Sequence, residues 1–151
     1  MTRSRAATLA LLARLPEDAI RRPRTQDAWS IADVLAHIAA WEEEGARRLD
    51  LIARGHGDRI HFYDTMPEAD RFNARAVAAA RRLRLPALLA RLGRTRARLV
   101  AALRRLPPRA LVDPTHDLPA VVWLREFAWT HEAAHRREIQ AWWRAHRTER
   151  P

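Results

Sequence analysis

The stretch AWTHEAAHRREIQAWW, residues 128–143, carries two histidines one helical turn apart, His131 and His135, on the same stripe as Leu124, Ala128, Ile139 and Trp142. Residues three and four apart share a helix face. The stripe therefore turns toward a core and takes both imidazoles with it. A second stretch, WSIADVLAHIAAWEEE at residues 29–44, sets His37 among Val34, Ile38 and Trp41, on the inward edge of another long amphipathic helix. The spacing predicts that three imidazoles meet inside one helical bundle. Neutral imidazole is the commonest protein ligand for transition metals, and three protein ligands leave positions open to water or substrate, as in catalytic rather than structural sites.

Working outward, Leu9, Leu12 and Leu15 give a first helix from Thr2 to Leu15, stopped near Pro16, and Pro16–Trp29 reads as a connection. Ser30 stands at an N-cap, with Asp33 offering a carboxylate to the positive end of the helix Ile31–Arg54. Gly55 and Gly57 end that helix. Pro67 and Pro86 each suit a first helical turn and open the helices Pro67–Leu83 and Pro86–Leu106, and Pro119 opens the last, which runs to His146. No segment alternates with period two for long enough to make a sheet. The expectation is an all-α four-helix bundle with an additional helix in the crossover between its second and third helices, and one domain over residues 1–151.

Composition narrows the chemistry. Cysteine is absent, which removes disulfides, thiolate ligands and cysteine nucleophiles, so any metal must be held by nitrogen and oxygen. All 28 basic residues are arginine, which excludes Schiff-base chemistry on a lysine, and the formal charge is +10. A basic balance raises the nucleic-acid class. However, Arg91, Arg94, Arg98 and Arg105 recur at helical spacing opposite Leu88, Leu92, Leu99 and Leu103, the pattern of a solvated helix face, so nucleic acid is not the expected partner. The opening MTRSRAATLALLARLPED resembles a leader only superficially, because Arg14 interrupts its apolar run. No stretch approaches the roughly 20 apolar residues that span a bilayer, so no membrane association and a cytoplasmic location are expected.

Some motifs admit more than one reading. HEAAH fits the HExxH pattern of zinc proteases with Glu132 as general base, but the extended pattern asks for glycine at 138 and histidine at 141, where this chain has Glu138 and Ala141. Metal-bound histidine usually donates its other N–H to an acceptor, and Asp33 and Glu138 are within helical reach of His37 and His135, although each also reads as an ordinary surface carboxylate. His61, Tyr63 and His116 fall in loops that could cover one end of the bundle. Trp29, Trp41, Trp123, Trp129, Trp142 and Trp143 supply core, interface or pocket area. Adjacent Trp142 and Trp143 cannot share a face, which predicts a homodimer.

WSIADVLAHIAAWE near the start and HEAAHRREIQAWW near the end, joined by FNARAVAAARRLRLPALLARLGRTRARLVAALRRLP, resemble the DinB/YfiT-like family over nearly the whole chain, with a further likeness in the middle to its ClbS/DfsB branch. The resemblance implies a four-helix bundle, often dimeric, with metal ligands at His37, His131 and His135. It also implies a divalent ion, nickel or zinc ahead of iron or manganese, and in some relatives transfer or isomerisation with a low-molecular-weight thiol. An ion with an open position makes a nucleophile of a thiol or of water at neutral pH. The first expectation is therefore a metal-dependent transferase acting on a small molecule with a small-molecule thiol, arginines at the rim steering an anionic cosubstrate. A metal-dependent hydrolase and a non-catalytic small-molecule binding or resistance protein are the alternatives. No catalytic side chain is assigned beyond the ligands.

Overall fold

The structure is a computed structural model, and it describes residues 2–113 and 118–146. The described residues are helical, with one isolated antiparallel bridge, Gln26 to Trp29, in place of any strand. The helices are α1 (Thr2–Leu12), α2 (Glu17–Arg21), α3 (Ile31–Ala53), α4 (Met66–Ala80), α5 (Leu85–Arg105), α6 (Pro108–Leu111), α7 (Ala120–Arg125) and α8 (His131–His146). A single π turn, Glu126–Thr130, runs α7 into α8. The all-α bundle with an extra crossover helix is thus the observed architecture, α4 lying between α3 and α5 in the chain and packing on α3.

The central helix forms where the sequence predicts and for the stated reason. The Ser30 hydroxyl accepts from the Asp33 N–H and the Asp33 carboxylate accepts from the Ser30 N–H, a reciprocal capping box. At the other end Gly55 takes φ +74°, the left-handed conformation that closes a helix. Along its length α3 packs against α5, while α1 packs on α8. Gly45 allows the close approach at mid-helix: a β-carbon there would stand 3.3 Å from Leu99 Cδ1 and 3.7 Å from Phe127 Cβ.

Three boundaries differ from expectation. The first helix ends at Leu12 rather than Leu15, its final turn tightened by Arg14 N–H to Leu11 O and Leu15 N–H to Leu12 O ahead of Pro16. The connection Pro16–Trp29 contains α2, which has Glu17 and Asp18 in its first turn and buries Ala19 and Ile20. The last helix is continuous in direction but carries the π turn, whose wider pitch is met by the Thr130 hydroxyl lying 3.0 Å from Arg125 O.

Apolar burial falls into two clusters. One gathers Leu12, Ile20, Leu35, Ile38, Leu92 and Ile139, and the other Leu49, Leu99, Ala102, Trp123 and Leu124. Between the helices lies a ring of buried charge. Glu42 Oε1 takes contacts from both Arg5 and Arg96, and Glu132 pairs with Arg5 Nε at 2.9 Å and Arg96 Nη2 at 2.7 Å. Thr95 Oγ1 donates to the second Glu42 oxygen at 3.1 Å, and Arg5 Nη1 donates to Leu92 O at 3.0 Å. The ring joins α1, α3, α5 and α8 and sums to zero charge, which is how buried ions are tolerated. Arg91, Arg98 and Arg105 behave as the helical pattern predicts, lying partly or largely in solvent opposite Glu43 and Asp50.

Candidate metal centre

His37 projects from α3, and His131 and His135 from the first turns of α8, directly after the π turn. Their rings converge as the spacing predicts. His37 Nε2 lies 2.7 Å from His131 Nε2, and His135 Nε2 lies 3.0 Å from the same atom. His37 is buried and the other two are half-buried. Burial, reinforced by the neighbouring imidazoles, pushes His131 down to about 3, and burial together with His135 pushes His37 down to about 4. Both rings are therefore neutral at pH 7, the state in which a ring nitrogen can ligate.

The outer nitrogens settle where the protons sit. Asn73 Oδ1 accepts from Trp41 Nε1–H at 2.9 Å, and because an indole nitrogen can only donate, the amide oxygen must face this point. The same oxygen lies 3.0 Å from His37 Nδ1, which is consequently the protonated nitrogen of that ring. The Glu138 carboxylate, 2.7 Å from His135 Nδ1, accepts a hydrogen bond from that nitrogen in the same way. Both rings thus turn Nε2 lone pairs toward His131 Nε2, which could donate to only one of them. At least one Nε2 lone pair is therefore left without a proton, an arrangement that suits a cation, and the group could hold a metal ion.

Glu138 is the acceptor its spacing suggests. Asp33 is not: its carboxylate is committed to the α3 cap and to Arg81 Nε at 3.1 Å, and Asn73 of the crossover helix takes the place beside His37. Asn73 was not legible because it lies 36 positions from its partner and belongs to neither histidine motif. Glu132, the general base of the protease alternative, faces away from the imidazoles into the buried ion ring and is 1% exposed, so it cannot activate a water there.

Two cavities touch the triad, one at His131 and one at His135. One of about 430 Å³ is lined by Trp41, Phe127, Thr130, His131 and Arg137. The other, of about 490 Å³, is lined by Trp29, Val34, His135, Glu138 and Trp142. Trp29 also packs on His37 itself, centroids 5.0 Å apart. Tyr63 belongs to the wall of the first cavity at one remove, 5.4 Å from Trp41 and 4.9 Å from Phe72. His61 is exposed and sits behind Tyr63, and His116 lies outside the described residues. Behind Phe127, the buried Arg48 guanidinium lies 4.7 Å from the Phe62 ring and 4.8 Å from that of Phe127, with Glu44 as its counter-charge at 2.9 Å. Trp123 is buried in the second core cluster, Trp142 and Trp143 are half-buried, and the side chain of Trp129 lies outside the described residues.

Among the described residues no helix is long and apolar enough to cross a membrane. A family model for the DinB superfamily matches residues 1–139. No match was found among curated proteins or solved structures.

Proposed function

The chain belongs to the DinB superfamily, and we propose that it holds a divalent cation, nickel or zinc, on His37, His131 and His135 and transfers a small-molecule thiol to a second small molecule. The observation that carries the ligand assignment is the proton arrangement: Asn73 and Glu138 occupy the Nδ1 positions and leave Nε2 lone pairs converging from two helices. The bound ion supplies Lewis acidity that makes a thiol a nucleophile at neutral pH.

The protein's own part is orientation and exclusion of water. Asn73 and Glu138 hold two of the rings at fixed tautomer, so filling the site asks only that the Nε2 atoms, now 2.7 and 3.0 Å apart, spread to the roughly 3.3 Å of neighbouring ligands on one ion. Trp29 and Trp41 flank His37 and shield the buried side of the centre. Transfer is favoured over hydrolysis by the two separate cavities, one at His131 and one at His135, since a donor and an acceptor each need a seat and water needs none. Trp142 and Trp143 both pack against the first core cluster and stay half-buried, and pairing of two copies over their remaining surface is the homodimer this reading includes.

Protein purified without a histidine tag should carry stoichiometric divalent metal, and His135→Ala should lose it. Turnover is then read with a panel of low-molecular-weight thiols and electrophiles. Metal-free wild-type protein that takes up neither nickel nor zinc would end the reading. Metal without transfer of any thiol would leave the centre and remove the reaction.

A further inference from the structure

We infer that the cavity between Trp41, Phe127 and His131 binds a flat aromatic acid, its ring against Trp41 and Phe127 and its single carboxylate on Arg137. This deepens the reading above by naming the class of one substrate, and only the fate of the ligand, not its binding, rests on that reading.

Three features carry it. The first is a wall fixed in advance. Trp41 is held through Nε1–H on Asn73 and through ring contacts with Tyr63, Phe72 and Phe127 at 5.4, 4.6 and 5.0 Å, yet it still lines open volume. An aromatic ligand therefore meets a rigid surface and orders little on binding. The second is the π turn, which brings Glu126, Phe127 and Thr130 onto the cavity immediately before His131. The third is charge. Arg137 lines the cavity, is exposed, and makes no ion pair or hydrogen bond among the described residues, whereas Arg136 beside it is spent on Ser4. A planar guanidinium at the cavity that pairs with no carboxylate among the described residues is suited to bidentate recognition of one brought by a ligand.

The lining also sets the size and charge of the ligand. His131 and Arg137 are six residues apart, about 9 Å along the axis at 1.5 Å per residue. A carboxylate on Arg137 therefore leaves room for two fused rings before the triad. At the far end Glu126 lies beside the Thr130 hydroxyl at 3.2 Å, so a second carboxylate on the ligand would meet like charge. The cavity volume of about 430 Å³ lies within the range of small-molecule sites.

The test is calorimetry on chelator-treated protein with 2-naphthoate, neutral 2-naphthylmethanol and 2,6-naphthalenedicarboxylate. The monoacid should bind stoichiometrically and at least about tenfold more tightly than the alcohol, the ratio expected of a charge-assisted hydrogen bond. Arg137→Gln, on an exposed position, should bring the acid to the level of the alcohol and leave the alcohol unchanged. Glu126→Gln should leave the monoacid unchanged and improve the diacid several-fold. Acid and alcohol binding alike, acid binding indifferent to Arg137→Gln, or no binding of any of the three would overturn the inference. His135→Ala, whose position is outside this cavity, separates the two readings. It should keep 2-naphthoate binding even if no metal is ever found, and metal uptake by wild type without naphthoate binding would remove this inference alone.

Discussion

The bundle buries two polar clusters of opposite character side by side. In one, Arg5, Glu42, Arg96 and Glu132 neutralise each other and are almost wholly withdrawn from water. In the other, three imidazoles face one another through Nε2 atoms 2.7 and 3.0 Å apart, with at most one N–H to share between two neighbours. The first is complete in charge, although Arg5 Nε, Arg96 Nη1 and Glu132 Oε1 make no hydrogen bond among the described residues, and the second has the donor set that could hold a cation. The difference separates a structural use of buried polarity, in which every charge has its counter-charge, from the binding use proposed for the triad, in which a cation would take up the unshared lone pairs.

The largest effect should come from breaking the complete cluster. Glu132→Ala leaves Arg5 and Arg96 buried with one carboxylate between them, and a loss of about 3–5 kcal/mol in chemical denaturation is expected. His135→Ala, by contrast, should change the stability of metal-free protein by less than about 1 kcal/mol, since it removes a half-buried ring whose carboxylate neighbour, Glu138, is exposed to solvent. Equal losses would erase the distinction between the clusters.

The next effect sharpens the assignment of acceptors around the triad. Asn73→Leu should weaken metal binding by about 10–100-fold in a chelator competition, because His37 is then free to carry its proton on either nitrogen. Asn73→Asp, which keeps an acceptor at the same place, should restore most of it. A loss shared by both variants would mean that Asn73 acts only by packing on Trp41.

The smallest effect concerns the carboxylate that the spacing offered to the metal and the fold used elsewhere. Burial pushes Asp33 up, but hydrogen bonds from Arg81 and Ser30 outweigh it and hold the group below its ordinary 3.8. Its contribution to stability is therefore full above pH 3.8 and fades as the pH falls through the lower native value. Asp33→Ala should cost about 1 kcal/mol at pH 7, as loss of a helix cap does. That deficit should shrink below pH 4, and metal affinity should not change. Weakened metal binding in this variant would return Asp33 to the site.

What the sequence discloses follows the same division. His131 and His135 are legible because their spacing and their apolar neighbours lie on one helix, and His37 because its own helix has an unambiguous inward face. The helices themselves are legible from caps and prolines at Ser30, Pro67, Pro86 and Pro119. The ion ring is not, since its members come from four helices and Arg96 sits among arginines that do face solvent. Partners that meet only after folding leave no periodic trace. The π turn is also silent in the sequence, yet it places Phe127 against Trp41 and so builds the wall of the cavity.

One detail joins the two clusters. Trp41 and Glu42 are consecutive on α3, and His131 and Glu132 are consecutive on α8, the first of each pair serving the metal side and the second the ion ring. A helix turns about 100° per residue, so the ring works as a rotational stop that sets the azimuth of both helices. The geometry of the proposed metal centre would thereby be set by the scaffold, and an ion bound there could be swapped for another, or withdrawn, without the bundle having to come apart.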